Sequence, residues 1–410
     1  LSTSVNSFSA AFFAANRNRL RLHAVVQGPI VIAANLLVQR SSDTAFSFYQ
    51  EPNFWYFTGI EDAGIVLVID ADDEYLITPK LSHYQEIFDG NFDVSELTRQ
   101  SGIETVLNYQ DGWRRLRTSL RAAAQVATLT PAPTFIETYG MYANPLRRQI
   151  TQRLKAANPK LEVVDVKVAV AKLRVIKQAP ELAAILRAID ITVEALDAVK
   201  ANIKTYAYEY EIEADITGHT LRSGAQDAWK PTVAGGMNAV TLHARTSDTP
   251  LNHDELVVID IGAQYNHYCA DITRTMSLGS QPNQRQQAVY DAVKTVQEYA
   301  FGLQKVGANI IDNERLVEHF LGEQLIKLGL IKENTRQNVR KYYTHACSHY
   351  LGLDPHDAGD YRQPLEAGMV LTVEPGIYIP EEGIGIRIED DVLITKTGIK
   401  ILSATSPRSL

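Results

Sequence analysis

The sequence predicts two domains of different classes, an α/β domain over residues 1–168 and an α+β domain over residues 169–410. Three observations carry this expectation. At 410 residues the chain is longer than one hydrophobic core usually organises. Strand and helix signals alternate as far as residue 166. Beyond that point long amphipathic helices take over, followed by β-branched runs folded into hairpins.

The elements follow in chain order. "NRNRLRLH" (Asn16 to His23) lies in a helix-like opening segment and reads as a solvated basic face. "PIVIAANLL" (Pro29 to Leu37), "GIVLVID" (Gly64 to Asp70) and "EYLITP" (Glu74 to Pro79) are rich in branched residues and read as strands. "DGWRRLRTSLRAAAQ" (Asp111 to Gln125) and "NPLRRQITQRLKAAN" (Asn144 to Asn158) read as helices, and "LEVVDV" (Leu161 to Val166) as a further strand. This half holds no glycine-rich phosphate loop, no internal repeat and no catalytic pattern. Pro180 then opens a helix, a good first-turn position. Leu182, Ile185, Leu186, Ile189, Val193 and Leu196 form one apolar face along it. A second helix is expected from Tyr208 to Ala225, and others near Gln284 to Leu303 and Asn313 to Leu328.

Bulk properties narrow the function. A hydrophobic fraction of 45% and a charged fraction of 21% are ordinary for a water-soluble globular protein. The net charge of -8 disfavours nucleic acid as a partner. No apolar run reaches the roughly 18 residues of a membrane span. The apolar patch Ala10 to Ala15 has no basic region before it and makes a poor secretory signal. The sequence opens on Leu1 rather than Met, and its true start is expected to lie upstream. Cys269 and Cys347, the two cysteines, are too few for a disulfide framework, which suggests a reducing cytoplasm.

The chemistry concentrates in two hairpins. "ELVVIDIGAQYNHYCADITRTMSL" (Glu255 to Leu278) has two arms around a polar turn. With Tyr265 and Asn266 central, Asp260 falls directly opposite Asp271. Directly opposed Cβ atoms lie about 4.5–5.5 Å apart. In "MVLTVEPGIYIPEEGIGIRIEDDVLIT" (Met369 to Thr395), a turn centred on Glu381 and Glu382 sets Glu374 opposite Glu389. Pro375 and Gly376 offer a place for a bulge that would shift that register. Buried carboxylates so close repel one another, so each pair calls for a shared proton or a cation.

Histidine supplies the third part. Three of the ten histidines fall in "HACSHYLGLDPHD", His345 to Asp357. Four carboxylates and an imidazole make a ligand set for two divalent cations of the Mn, Co or Zn kind. Such a pair suits hydrolysis, because it ionises a water and polarises a carbonyl. Spacing alone leaves the ligand histidine open. His349, before a glycine turn, is one candidate; His345, His356 and His243, the last at the expected end of a strand in "AVTLHARTS", are others.

Taken in order, Asp260, Asp271, "SHYLGLDPHD", "TVEPGIY" and "GIGIRIEDD" resemble the pita-bread metallopeptidases, and within them the aminopeptidase P and Xaa-Pro dipeptidase branch. The resemblance spans roughly Leu173 to Leu402, and "NFWYFTGIEDAGIVLVID" resembles the branch's first domain. It implies a pita-bread catalytic domain behind an α/β N-terminal domain. It implies that Asp260 chelates one metal, that Asp271 and Glu389 bridge two, and that His349 and Glu374 complete the other. Manganese is the expected metal, with cobalt or zinc as alternatives. A hydroxide between the metals would attack the scissile carbonyl, and Glu374 or a partner near it would pass a proton to the leaving proline nitrogen. His243 and His356 would donate to the substrate carbonyl or the developing oxyanion. His345 would form pocket wall or support the ligands from behind. Arg387, two residues before Glu389, would bind a substrate carboxylate or brace the site. Asp43 in "RSSDTAF" matches an N-domain acid that reaches the pocket from a neighbouring region in this branch.

The implied activity is release of the residue before proline from short peptides. A bond before proline has no N–H and its ring blocks extended-strand clefts, which a shallow metal-centred site tolerates. The partners implied are short proline-containing peptides and further copies of the chain, as a homodimer or homotetramer. Strict Xaa-Pro dipeptidase activity shares every ligand and is the alternative. A non-catalytic peptide- or protein-binding relative and a metal-free, creatinase-like amidinohydrolase are expected to lack the full ligand set. The sequence departs from the family pattern at Ala346 and Cys347, at Trp229 where a tyrosine is usual, and at Phe88 where the N-domain tryptophan is usual. These changes bear on substrate length and side-chain preference, and they spare all five ligands.

Overall fold

The computed structural model describes residues 8–24, 26–70, 73–131, 136–245, 247–279 and 281–410. The chain divides after Leu173, inside the helix Lys167–Val175, into two compact units, Leu1–Leu173 and Arg174–Leu410.

The first unit is an α/β layer structure. Its strands are β1 (Ile30–Ala33), a small hairpin of β2 (Gln39–Ser41) and β3 (Thr44–Ala45), then β4 (Val66–Ile69), β5 (Glu74–Ile77), β6 (Thr105–Leu107), β7 (Gln125–Thr128) and β8 (Glu162–Asp165). Six of them form one mixed sheet in the order β6-β5-β4-β1-β7-β8. β1 and β4 are buried at every position, because both faces of the sheet are covered. On one face Val31, Val66, Val68 and Ile77 meet Trp113, Leu116 and Leu120 of the helix Tyr109–Ala122, and Ile150 and Leu154 of Leu146–Ala157. The sequence pattern finds four strands of this sheet and both helices. It misses β6 and β7, and the first residue of β7, Gln125, falls at the end of an expected helix. The helix stops at Ala122 and three residues later β7 begins.

The basic opening segment is corrected by the structure. It lies on the helix Ala10–His23, but Asn16 and Arg17 are fully buried rather than solvated. Asn16 donates to the Tyr56 carbonyl at 2.9 Å. Arg17 donates to the carbonyls of Phe57 and Ser101 at 2.7 and 3.0 Å and pairs with Glu74 at 2.6 Å. A buried guanidinium is sustained only when carbonyls and a carboxylate satisfy its donors.

The second unit is α+β. Its strands are β9 (Gln226–Asp227), β10 (Thr232–Gly235), β11 (Leu256–Ile261), β12 (Ala263–Tyr265), β13 (Tyr268–Cys269), β14 (Ile272–Ser277), β15 (Val370–Val373), β16 (Gly376–Ile379), β17 (Ile384–Arg387), β18 (Asp390–Thr395) and β19 (Gly398–Ile401). They form small antiparallel sheets, β10-β11-β14, β13-β12-β9, β15-β18-β19 and β16-β17. The helices are Ala179–Asn202, Glu209–Arg222, Gln284–Leu303, Ile310–Lys327 and the short Arg336–Val339. Val289, Val293, Val296 and Ala300 recur at helical spacing and join Val317, Leu321, Val373, Ile377 and Ile386 in one core. Among the described residues no helix is long and apolar enough to cross a membrane.

Candidate functional site

The first hairpin turns one residue later than its sequence suggested. Tyr265 pairs with Tyr268, and the central residues are Asn266 and His267, at φ 47° and 68°. A tight hairpin turn of this kind needs positive φ at both central positions, which asparagine tolerates better than tyrosine. The slip changes every partner. Asp260 faces Thr273, so Asp260 and Asp271 are diagonal neighbours on one face rather than directly opposed. Thr273 fills the place expected for Asp271. Its hydroxyl donates to Glu389 at 2.6 Å and accepts from Arg387 Nε at 3.1 Å. Gly262 lies across from Asp271, and a Cβ there would sit 1.9 Å from the Ala270 carbonyl oxygen and 2.6 Å from the Trp229 ring. Glycine is what lets the two arms come this close and the indole close on them.

The second hairpin keeps its expected register. Val373 pairs with Asp390 before the Pro375–Gly376 step and Gly376 with Arg387 after it, so no residue is gained or lost and Glu374 lies across from Glu389. The turn falls at Pro380–Glu382 with Gly383 left-handed.

The histidine segment is positioned by β15. It runs antiparallel to that strand through the Tyr350–Leu371 bridge, with Thr372 N–H on the His349 carbonyl at 3.0 Å and Glu374 N–H on the Cys347 carbonyl at 2.8 Å. Glu374 therefore lies between two imidazoles. His349 Nε2 is 3.3 Å from its Oε1, and His345 Nδ1 is 3.4 Å from its Oε2. His349 Nε2 is also 3.5 Å from Asp271 Oδ2. Asp271, His349 and Glu389 each present a ligand atom within 4.8 Å of the others. His356 stacks on His349 with ring centroids 4.0 Å apart.

These side chains open on one cavity of about 690 Å³, lined by His243, Asp260, Asp271, His345, His349, His356, Glu374, Arg387 and Glu389. All nine residues singled out in the second half of the sequence thus meet at one place. His243 and His356 stand exposed at it, whereas Asp271, His349, Arg387 and Glu389 are buried. His243 corrects one expectation: it sits in a turn after the 3-10 helix Gly236–Val240, not at the end of a strand. Asp43 lies exposed in the turn between β2 and β3, and Phe88 is exposed at the end of the helix His83–Phe88.

Electrostatics set this cluster apart. Burial pushes Asp271 well above the usual carboxylate range, and Glu389 and Asp260 add to it. Glu374 is raised well above the range by burial and then Glu389. Glu389 is pushed up to about 8 by burial and then Asp260. Arg387 is the one cation among these side chains, and it is already committed to Asp260 at 2.7 Å, the Tyr378 hydroxyl at 2.8 Å and Thr273. Burial pushes His349 down to about 3, helped by His356, and His345 down to about 3, helped by Arg387. Both are neutral near pH 7, the form that binds metals. Asp260 Oδ1 is buried with no hydrogen-bond partner among the described residues. Acid oxygens without enough protein cations, a spare lone-pair site and a neutral imidazole are together a fit for divalent cations.

Sequence reasoning missed three supporting residues. The Tyr378 hydroxyl joins His345 Nε2 at 2.8 Å to Arg387. Asp391 Oδ2 accepts the Asp271 N–H at 3.1 Å. Thr273 holds Glu389 as above. Two were open to alternation: Asp391 is two residues beyond Glu389, and Thr273 two beyond Asp271. The link from Tyr378 to His345 crosses between distant segments and left no local signal.

Comparison with known proteins bears on this site. Residues 183–396 match metallopeptidase family M24, and residues 13–127 match the N-terminal domain of aminopeptidase P. The Xaa-Pro aminopeptidase of Escherichia coli is 32% identical over 393 residues, 90% of this chain and 88% of the relative. The human Xaa-Pro aminopeptidase 3 is 28% identical over 93% of this chain and 79% of its own. Among solved structures, aminopeptidase P from Escherichia coli superposes with a TM-score of 0.87 at 29% identity, covering 98% of this chain and 96% of the other. The same protein has been solved with the inhibitor Pro-Leu, at a TM-score of 0.84, 29% identity and the same coverage of both chains.

Proposed function

We propose, from the premise that this chain belongs to metallopeptidase family M24 and carries the aminopeptidase P N-terminal domain, that it is a metal-dependent Xaa-Pro aminopeptidase. The observation that carries this reading is the buried cluster of Asp271, His349 and Glu389, flanked by Asp260 and Glu374 on the same cavity. These five would hold two divalent ions, manganese first, with cobalt and zinc as the alternatives. Such ions supply an ionised water near neutral pH and polarise the scissile carbonyl. The chain's own groups do the rest. Glu374, raised by its burial, holds or releases a proton at its carboxyl beside the leaving nitrogen. His243 and His356, exposed at the cavity, donate toward the carbonyl oxygen as it gains charge. Arg387 and Tyr378 hold Asp260 and His345 in place from behind. Trp229, closed over Gly262, shapes the wall that meets the substrate.

The finer parts belong to the same reading. Both cysteines are free and buried, which agrees with a reducing compartment such as the cytoplasm. Exposed Tyr84, Ile87 and Phe88 on the helix His83–Phe88 support a homo-oligomer, which sedimentation would test.

The test is hydrolysis of Xaa-Pro-Yaa by metal-stripped protein before and after Mn²⁺, with Xaa-Pro and Xaa-Ala-Yaa alongside. Manganese-dependent release of Xaa from the tripeptide alone is the expected result. Cleavage of the dipeptide alone would move the assignment to Xaa-Pro dipeptidase. Silence with Mn, Co and Zn would remove the peptidase reading.

A further inference from the structure

Glu209 is the second residue of "YEYEIEAD" and opens the helix Glu209–Arg222. It is fully buried. Its carboxylate meets no cation among the described residues; it meets four donors, arranged in two pairs. Oε1 accepts from Gly235 N–H at 2.9 Å and Asn238 Nδ2 at 2.8 Å. Oε2 accepts from Ser247 N–H at 3.0 Å and Ser247 Oγ at 2.9 Å. Gly235 ends β10, and Asn238 lies in the 3-10 helix that follows. Ser247 lies on the far side of His243. One side chain thus fastens both ends of the stretch that carries His243.

The 3-10 helix at the start of the stretch is packed as well, with Ala239 buried beside Ala234 and Val258 and Ala244 against them, and the turn beyond it is closed by backbone bonds. The Thr241 N–H reaches Asn238 O at 3.0 Å and the Ala244 N–H reaches Thr241 O at 3.2 Å, which closes a turn around an exposed imidazole. That imidazole stands exposed, so its place follows the backbone that carries it. An oxyanion donor acts only if it is aimed before charge develops, and a displacement of about 1 Å costs heavily.

We propose that Glu209 is a positioning residue for His243, a carboxylate clamp that sets the donor's place in the cavity from outside it. The inference rests on the peptidase reading for what His243 does, but the clamp itself can be tested without activity. Glutamine in place of Glu209 keeps the size and loses one end. All four contacts come from donors, so the amide NH₂ can face only one pair and leaves the Ser247 or the Gly235 N–H unsatisfied.

The experiment uses the full chain loaded with Mn²⁺ and compares E209Q, H243A and the double variant. E209Q is expected to lower kcat on Xaa-Pro-Yaa by about 30-fold with KM within about 2-fold, because ground-state binding is untouched. On the H243A background the same change should cost less than about 2-fold, because the donor that Glu209 aims is gone. Hydrogen exchange of residues 236–245 should quicken at least about 10-fold in E209Q with the rest of the unit unchanged. S247A, which removes one donor and leaves the carboxylate in place, should show the same coupling at about 5-fold in kcat and serves if E209Q does not fold. Equal losses in both backgrounds, or unchanged exchange in residues 236–245, would overturn the clamp. If the parent protein cleaves nothing while the exchange change appears, the peptidase reading falls and the clamp stands.

Discussion

Asp357 and Asp271 are both buried carboxylates of the second unit, and their surroundings move them in opposite directions. Burial, the largest influence on Asp357, pushes it up, but Arg174 and Lys177 outweigh it and hold the group below the usual range. Lys177 Nζ is 2.8 Å from Asp357 Oδ2, Arg174 bonds the other oxygen, and Arg174 also reaches Asp354 at 2.8 Å. The three side chains Arg174, Lys177 and Asp357 are almost wholly buried. Asp271 is equally enclosed, but its neighbours are Glu389, Asp260, Asp391 and Glu374, and each of these acids raises it further. One cluster closes its own charge balance and fastens the loop that carries His356. The other leaves its balance open, facing a cavity. The fold can neutralise a buried acid with its own cations, and at Asp271 it does not. That contrast supports the proposed metal site, where several acids crowd together without matching cations.

The largest expected effect separates the two clusters by sign. Asp271→Ala should abolish stoichiometric metal uptake, read by elemental analysis after dialysis, and lower kcat/KM by at least about 1000-fold. The same change should leave the metal-free protein as stable as the parent or more so, because it removes one of several repelling acids. A large fall in the metal-free Tm would mean that Asp271 is a structural acid, and the contrast with Asp357 would collapse.

Asp357→Asn should do the reverse. It strands Arg174 and Lys177 in the interior, and breaking such a pair typically costs about 3–5 kcal/mol of stability. Metal uptake should persist, because no ligand is touched. Denaturant titration of the metal-free protein reads the first effect and elemental analysis the second. Loss of metal with unchanged stability would show that this network serves the site chemically rather than by holding its loop.

Much of this site was legible because carboxylate pairs and scarce histidines are rare enough to be noticed one by one. Asp260, Asp271, Glu374 and Glu389 stand at fixed places in β-branched arms, and the turn "PEEG" fixed the second register through Gly383. The first register failed on one residue, since Asn266 can take either central place of the turn, and only the observed positive φ at Asn266 and His267 puts His267 rather than Tyr265 beside it. Arg17 was read as solvated because local pattern carries no trace of Phe57, Ser101 and Glu74, which satisfy it from 40 to 84 residues away. Glu209 was invisible for the same reason. A buried acid with four neutral donors looks in sequence like any glutamate in the first turn of a helix.

The smallest effect sharpens the comparison through pH. Glu389 sits at about 8 in the folded metal-free protein, above its unfolded value near 4.3. A folded state that holds its proton more tightly than the unfolded state gains stability that is complete below the unfolded value. That gain is lost as pH rises through the folded one. Asp357 has the opposite sign: its contribution is present above about pH 3.9 and is lost only as pH falls through its lowered folded value. Between pH 5 and 8 Asp357 therefore adds no slope, and Glu389 adds a decline of at most about 1.4 kcal/mol per pH unit. The buried His345 and His349, held neutral down to about 3, add a rise of opposite sign up to the unfolded histidine value near 6.5, so denaturant midpoints of the metal-free protein should fall from about pH 7 to 8. With Mn²⁺ present the decline should flatten or reverse, because the ion competes with the proton for the same oxygens. A metal-free midpoint that stays level from pH 7 to 8, above the histidine range, would mean that the acids around Asp271 are already ionised and balanced, as Asp357 is.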